Sequence, residues 1–389
     1  MDRKNGSDDY VIRVVGNPAD IDAEAWDALH SLQPSAGPFT RHAYLLAATA
    51  SGSATHDTGW SPSFLTAHAG GELVAACPVY VKDHSYGEFV FDWAWADAYH
   101  RHGLRYYPKL LSAVPFTPVP GPRLLARDPA SRIALLDGMA QLARQAGLSS
   151  AHVLFLDEAD QAAARAAGWL MRSSVQFHWT QREPLPYADF TDFLAHLNRD
   201  KRKKIQQERR RVKEAGVTFT THEGAAITPS LWDFFYRCYQ QTYREHGSTP
   251  YFTRDFFDRM HRTMAEHWVL FVAWRGGERI AASLIAIDPE RRNAFGRYWG
   301  ALEHIPHLHF EACYYQPLVW CITHGYRRFE GGAQGEHKMA RGLLPVQTWS
   351  AHWLAHPQFS EAVAEHLAHE GEGVAHYLDE LGERRPFKA

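Results

Sequence analysis

Apolar and polar positions along the chain fall into two stretches with the same rhythm. In the first, Tyr10 to Val15 reads as a strand, and helical spacing of apolar residues predicts helices from Ile21 to Leu32 and from Thr40 to Ala50. Ser63 to His68 and Leu73 to Val81 then flank Ala69-Gly70-Gly71-Glu72, the pattern of a hairpin about a Gly-Gly turn. Phe89 to Trp95 reads as a further strand, followed by a Pro-rich connection from Pro115 to Pro122. Ser131 to Ala146 and Glu158 to Ala167 have helical spacing, ended by Gly147 and Gly168, and His152 to Leu156 and Ser174 to Thr180 read as strands. After residue 217 the order restarts. Val217 to Thr221 is a strand, Leu231 to Glu245 and Thr253 to Glu266 are helices, and Trp268 to Trp274 with Arg279 to Ile287 flank Arg275-Gly276-Gly277-Glu278 as a second hairpin. Phe295 to Trp299 follows as a strand, and Phe310 to His324 as a helix closed by Gly325.

The two stretches also share residues. Ala67, Gly70, Gly71, Glu72, Ala75 and Ala76 match Ala273, Gly276, Gly277, Glu278, Ala281 and Ala282, each 206 positions apart. Phe39-Thr40-Arg41 echoes Phe252-Thr253-Arg254, and Tyr106-Tyr107 echoes Tyr314-Tyr315. Matches in the same order argue for two copies of one α/β domain with mixed sheets. The expected division is residues 10–185, a basic helical connector over 186–216, and residues 217–389.

Composition narrows the class. At 389 residues the chain exceeds one ordinary core. With a formal net charge of −3, nucleic-acid affinity would have to come from a local patch. The connector offers one: Asn198 to Glu214 carries nine basic residues against three acidic ones, with Ile205 and Val212 at helical spacing. The four cysteines, Cys77, Cys238, Cys313 and Cys321, form no C-x-x-C pair and no disulfide framework, which fits a reducing, cytoplasmic setting. No apolar run nears the roughly 20 residues needed to span a bilayer, so no membrane insertion is expected.

A strand, two helices, a hairpin and a strand feeding a helix is the order of the acetyltransferase-like (GNAT) fold. Two such copies joined by a basic helix resemble the Fem-like aminoacyltransferases, and more closely the FemAB-like family labelled peptidoglycan biosynthesis or recognition proteins. The residues carrying the resemblance are Gly87 to Trp93, Tyr106-Tyr107-Pro108-Lys109 and Pro115-Phe116-Thr117-Pro118, then His309 to Tyr315 and Gly332 to Lys338. The resemblance implies a tandem pair of GNAT-like acyltransferase domains that transfers an acyl group to an amine. The donor it implies is aminoacyl-tRNA or acyl-CoA as a cosubstrate, with no tightly bound cofactor, and the acceptor is peptide-like or an amino sugar, such as a cell-wall precursor. The alternative is a non-catalytic protein that keeps the fold to recognise such a molecule. Acyl-CoA would need a small-residue loop for its pyrophosphate; the nearest match, Arg297 to Leu302, ends in leucine where glycine or alanine is expected. For tRNA, Arg202, Lys203 and Arg210 of the basic helix are the expected contacts. DNA is not expected as a partner.

The candidate chemistry gathers in Gly331 to Gly342, a glycine-rich loop holding an amide, a carboxylate, an imidazole, an ammonium and a guanidinium. Direct acyl transfer needs a base for the amine proton and a cation at the developing oxyanion. Lys338 falls where Fem-like proteins carry the lysine of a Tyr-Lys motif, which implies a role at the acyl carbonyl; His337 stands in the tyrosine position. Glu336 and Glu311 are the nearest candidate bases. Gln334 and Arg341 are candidates to orient substrate, with His337, Tyr314, Tyr315 and Trp299 around them. In the first copy Asp92 and Asp97 among aromatics, with Tyr107, are candidates to receive a cationic or sugar-peptide acceptor. His304, His307 and His309 have a spacing that can bind zinc, but with 24 histidines in the chain such a cluster arises by chance, and no metal is expected.

Overall fold

The structure is a computed structural model that describes residues 10–333 and 335–388. They form two compact units, one of residues 10–174 with 348–373 and one of residues 175–347 with 374–388.

In the first unit β1 (Val11–Val15) leads into α1 (Ala23–Ser31) and α2 (His42–Ala50). The Asp22 side chain starts α1 by accepting the amides of Glu24 at 2.9 Å and Ala25 at 3.1 Å, which have no partner inside the helix. The chain then forms the hairpin β2 (Phe64–Ala69) and β3 (Glu72–Cys77). Four strands, β1, β2, β3 and Leu125–Ala126, pair in that order, all antiparallel. A second group is built on Ser150–Leu154, which runs antiparallel to Ser350–Leu354 and parallel to Lys109–Ser112. Helix Pro129–Gln145 covers the sheets with Leu135, Leu136, Met139 and Ala143 in the core. Phe89 to Trp95, expected as a strand, is instead a loop running into α3 (Trp93–Arg101). Phe89 sits at φ +62, which an extended strand cannot contain.

In the second unit the basic helix α4 (Arg199–Glu214) precedes β4 (Val217–Glu223), α5 (Pro229–Glu245), α6 (Arg254–Thr263), and the hairpin β5 (Trp268–Arg275) and β6 (Glu278–Asp288). Next come β7 (Asn293–Ala301) and, after a helical segment, β8 (Arg328–Ala333). The sheet order is β4, β5, β6, β7, β8, with Gln176 to Thr180 beyond β8. The expected helix from Phe310 to His324 is there, but Glu311–Tyr315 is wound as a π turn ahead of Gln316–Thr323. Pro317 follows it, and a proline cannot supply the amide that an unbroken α-helix would need there.

Both units repeat strand, helix, helix, hairpin, with the same antiparallel neighbours. The likeness extends to irregularities. The register of the first hairpin shifts between Ala67 and His68 and that of the second between Ala273 and Trp274, positions 206 apart. The turn glycines have φ +59 and +90 in one and +59 and +87 in the other. The chain is a duplicated mixed α/β domain.

The compact units nevertheless differ from the linear division into 10–185, 186–216 and 217–389. Residues 348–373 cluster with the first unit because Ser350–Leu354 completes its sheet. The connector belongs to the second unit, where α4 buries Ile205, Glu208 and Val212.

Candidate active site

The second unit contains a strand junction that opens. β7 and β8 pair in parallel only at Asn293 to Phe295 against Arg328 to Glu330. Beyond that, β7 stays on β6, with Tyr298 to Ala301 opposite Leu284 to Ala281. β8 shifts register after Glu330 and ends with Ala333 opposite Gln176. Glycine is required at this departure: a Cβ at Gly331 would lie 2.5 Å from the Leu343 side chain, and Gly332 has φ +78.

The chain then folds back through the helical turn Glu336–Arg341. This buries Lys338, whose Nζ donates to the Gly332 carbonyl at 2.9 Å. Burial pushes its pKa down to about 8, with Cys313 a weaker influence in the opposite sense. Arg341 fastens the turn. Its Nη2 donates to both Glu208 oxygens at 2.9 and 3.0 Å, its Nη1 to the His337 carbonyl at 2.7 Å, and its guanidinium lies 3.4 Å from the Phe310 ring centroid. The Tyr315 hydroxyl also donates to Glu208. The inward acid of the basic helix thus holds the turn that carries Lys338.

Beside the lysine are two neutral imidazoles. His337 is exposed, with Nε2 3.3 Å from the Tyr314 hydroxyl; burial of part of the ring, then the cations of Arg341 and Lys338, lower its pKa. The same kinds of cause, burial first, bring His309 down to about 4. Burial pushes the Cys313 thiol up to about 12, so it is not a thiolate nucleophile. The local chemistry is a buried cation beside an accessible neutral base.

The expected site residues divide accordingly. Lys338, His337 and Tyr314 come together. Arg341 and Tyr315 are fasteners on Glu208. Glu311 is held by Arg209 at 3.1 Å and by the Gln316 amide at 2.7 Å. Glu336 is exposed and accepts from Tyr377 at 2.8 Å. Trp299 offers its carbonyl to Thr242 at 2.8 Å and its ring to His309. Gln334 lies outside the described residues. On α4, Lys203 and Arg210 are exposed, Arg202 partly so, and Arg210 reaches Glu214 at 3.6 Å. Of the three clustered histidines, His304 is exposed, His307 meets Arg211 at 3.2 Å and His309 packs on Tyr314; among the described residues no group of three or more His, Cys, Asp or Glu is arranged to hold a metal ion.

The first unit has its own charged cluster. Lys109 is fully buried and donates to Glu88 and Ser85, each at 2.8 Å, and to Asp92. Tyr106 donates to Asp92 at 2.6 Å and lies 3.2 Å from His152, which in turn meets His352 at 2.7 Å. Burial raises Glu88 to about 7 against the pull of Lys109; for Asp92 burial also works upward, but Lys109 helps hold it well below the usual carboxylate range. Tyr107 meets Ser85 at 2.8 Å. Asp97 is not part of the cluster: it is exposed and pairs with Arg101 at 3.2 Å. Sequence reasoning missed Lys109, Glu88, Tyr106 and Glu208 as site-forming residues. For Glu208 a signal existed, since Ile205, Glu208 and Val212 share one helical face.

Arg297 to Leu302 do not form the small-residue loop that an acyl-CoA pyrophosphate would need. Trp299 to Ala301 are paired strand residues rather than a loop at a helix start. Gly300 serves packing instead: a Cβ there would lie 1.9 Å from the Cys238 carbonyl oxygen of α5.

Duplicated units of this order define a tandem GNAT-like fold. The chain belongs to the FemAB-like family, described as peptidoglycan biosynthesis/recognition, whose model matches residues 17–389. Among solved structures it is similar to L-PGS from Bacillus licheniformis, at 11% identity and TM-score 0.52, covering 88% of this chain and 96% of that one. FemX is similar to the same degree, at 10% identity and TM-score 0.52, covering 88% and 98%. No curated protein sequence matches.

Proposed function

We propose that the protein is an acyltransferase that forms an amide on a peptide-like or amino-sugar acceptor of cell-wall type, with an aminoacyl ester of tRNA as donor. The observation that carries this reading is Lys338, buried at an opened strand junction with a pKa of about 8 and flanked by neutral His337. Family membership and the fold of FemX support the reaction class. The ill-fitting pyrophosphate site and the exposed Lys203 and Arg210 of α4 favour tRNA over acyl-CoA.

In this mechanism the acceptor amine attacks the ester carbonyl, forming the C–N bond. The Lys338 ammonium stabilises the oxyanion, an interaction stronger in the transition state than in the ground state. His337 takes the surplus amine proton. The ester C–O bond then breaks, and the ribose oxygen leaves with that proton. Lys338 must be charged and His337 neutral, so turnover should rise with pH through the region below 6.5 and fall through about 8.

The test is transfer of a labelled amino acid from charged tRNA to a muramyl peptide, with acyl-CoA as the competing donor. Reversing charge at Arg202, Lys203 and Arg210 should weaken RNA binding, and raised salt should do the same. Transfer from acyl-CoA alone, with no RNA affinity, would remove the tRNA donor.

A further inference from the structure

The loop from Ser85 to Trp93 in the first unit is folded inside out. Its carboxylates, Glu88 and Asp92, are buried against Lys109. Its aromatics face solvent: Tyr86 is 62% exposed, Phe89 37%, Phe91 46% and Trp93 52%. Among the described residues these four are the only Phe, Tyr or Trp side chains in the exposed class. Folding alone favours the reverse arrangement, with rings inside and carboxylates in water.

The loop is also pinned in this state. Gly87 has φ +80, and a Cβ there would lie 2.5 Å from the Phe116 ring. Phe89 has φ +62, which strains a residue of that size. Arg172 donates to the Phe91 carbonyl at 2.7 Å, and Lys109 ties down Glu88 and Asp92. The Phe91 and Trp93 rings lie 5.0 Å apart and present a shared apolar surface. Trp93 opens α3, and helical spacing carries its face on through Asp97 to Arg101. Just beyond are Leu104, 40% exposed, and Arg105, also exposed. The one acid of the exposed helix face, Asp97, is engaged by Arg101 at 3.2 Å.

A pinned aromatic platform with a basic margin matches a bilayer interface, where aromatic rings lie at headgroup depth and arginines meet anionic lipid. A saccharide fits less well, because the loop's own carboxylates, which could accept sugar hydroxyls, are turned inward onto Lys109. Among the described residues no helix is long and apolar enough to cross a membrane, so these helices can engage one only from its surface. We propose that the Tyr86 to Trp93 loop and the outer face of α3 dock on anionic lipid bilayers, with the four aromatics at headgroup depth and Arg101 and Arg105 facing the phosphates.

The experiment is co-sedimentation of the full chain with vesicles of phosphatidylglycerol and phosphatidylcholine in roughly equal parts, and with phosphatidylcholine alone. The wild-type protein should prefer the anionic vesicles and lose binding as salt rises. F91S/W93S should bind about tenfold more weakly or worse with an unchanged melting temperature. Y86S, farther along the platform, should show a smaller loss and serves if the double variant does not fold. R101Q/R105Q should lose the preference for anionic vesicles. No binding by the wild type, or equal binding by F91S/W93S and Y86S, would overturn the proposal. So would variants that keep vesicle binding and instead lose affinity for a soluble muramyl peptide or a partner protein.

Discussion

Lys109 in the first unit and Lys338 in the second are both buried, at 0% and 4% exposure, yet their protons are held in opposite ways. At Lys109 burial works to lower the pKa, but Glu88 and Asp92 outweigh it and hold the ammonium above its usual value. At Lys338 burial prevails and the pKa falls to about 8. Burial of a lysine therefore does not define its role. A lysine locked to two buried carboxylates is a cross-link, whereas one whose proton is held loosely near neutral pH can respond to charge appearing on a substrate.

Replacing each lysine by methionine tests that contrast, since methionine keeps most of the stem. Lys109→Met should cost the most in stability, about 3–5 kcal/mol, because it strands Asp92 and Glu88 in the interior. Chemical denaturation would measure it, and adding Asp92→Asn should recover part of the loss. A Lys109→Met protein that melts like the wild type would end its role as a cross-link. Lys338→Met should instead lower turnover by about 10² to 10³ while shifting the melting temperature little. Methionine is the replacement to use because the Lys338 stem is buried and a shorter side chain would leave a void there. Lys338→Arg should rescue only partly, its planar fork being bulkier. Full turnover in the Met variant would send the search for the reacting centre to the Asp92 cluster.

Two smaller effects sharpen the comparison. Glu208→Gln leaves Lys338 in place but weakens the anchor of its turn, costing about 1–3 kcal/mol, with turnover falling alongside stability. Equilibrium unfolding and initial rates on one preparation would separate the two. The pH profile provides the subtlest test. The alkaline limb near 8 should disappear in Lys338→Arg, whose guanidinium stays charged. The limb below 6.5 should disappear in His337→Gln. An alkaline limb unchanged in Lys338→Arg would mean that another group titrates there.

The hairpins, the repeat and the polar loop were legible because each is written in neighbouring residues: alternation, paired glycines, fixed spacing. Lys338 and His337 lie in that loop, where the resemblance to a Tyr-Lys motif, rather than a local pattern, singled out the lysine. The units were not legible, because Ser350–Leu354 pairs with Ser150–Leu154 across some 200 positions, and no local pattern records that pairing. Phe89 to Trp95 misled because its aromatics suggest a half-buried strand, while Lys109 draws inward Glu88, just before the segment, and Asp92, within it. At Arg341 and Glu311 residue type pointed to chemistry, whereas Arg341 is paired with the buried Glu208 and Glu311 with the partly exposed Arg209.

The π turn at Glu311–Tyr315 has a consequence for how relatives diverge. Such a turn holds one residue more than an α-helix of the same span, so it behaves as an insertion carried within the helix. Deleting a single residue there would restore the α rhythm and rotate the residues on one side by about 100°. Tyr314 would swing away from His337 or Glu311 from Arg209, according to which side turns. A relative whose alignment shows a one-residue gap at this place would therefore have a differently floored junction, even with every side chain around Lys338 unchanged.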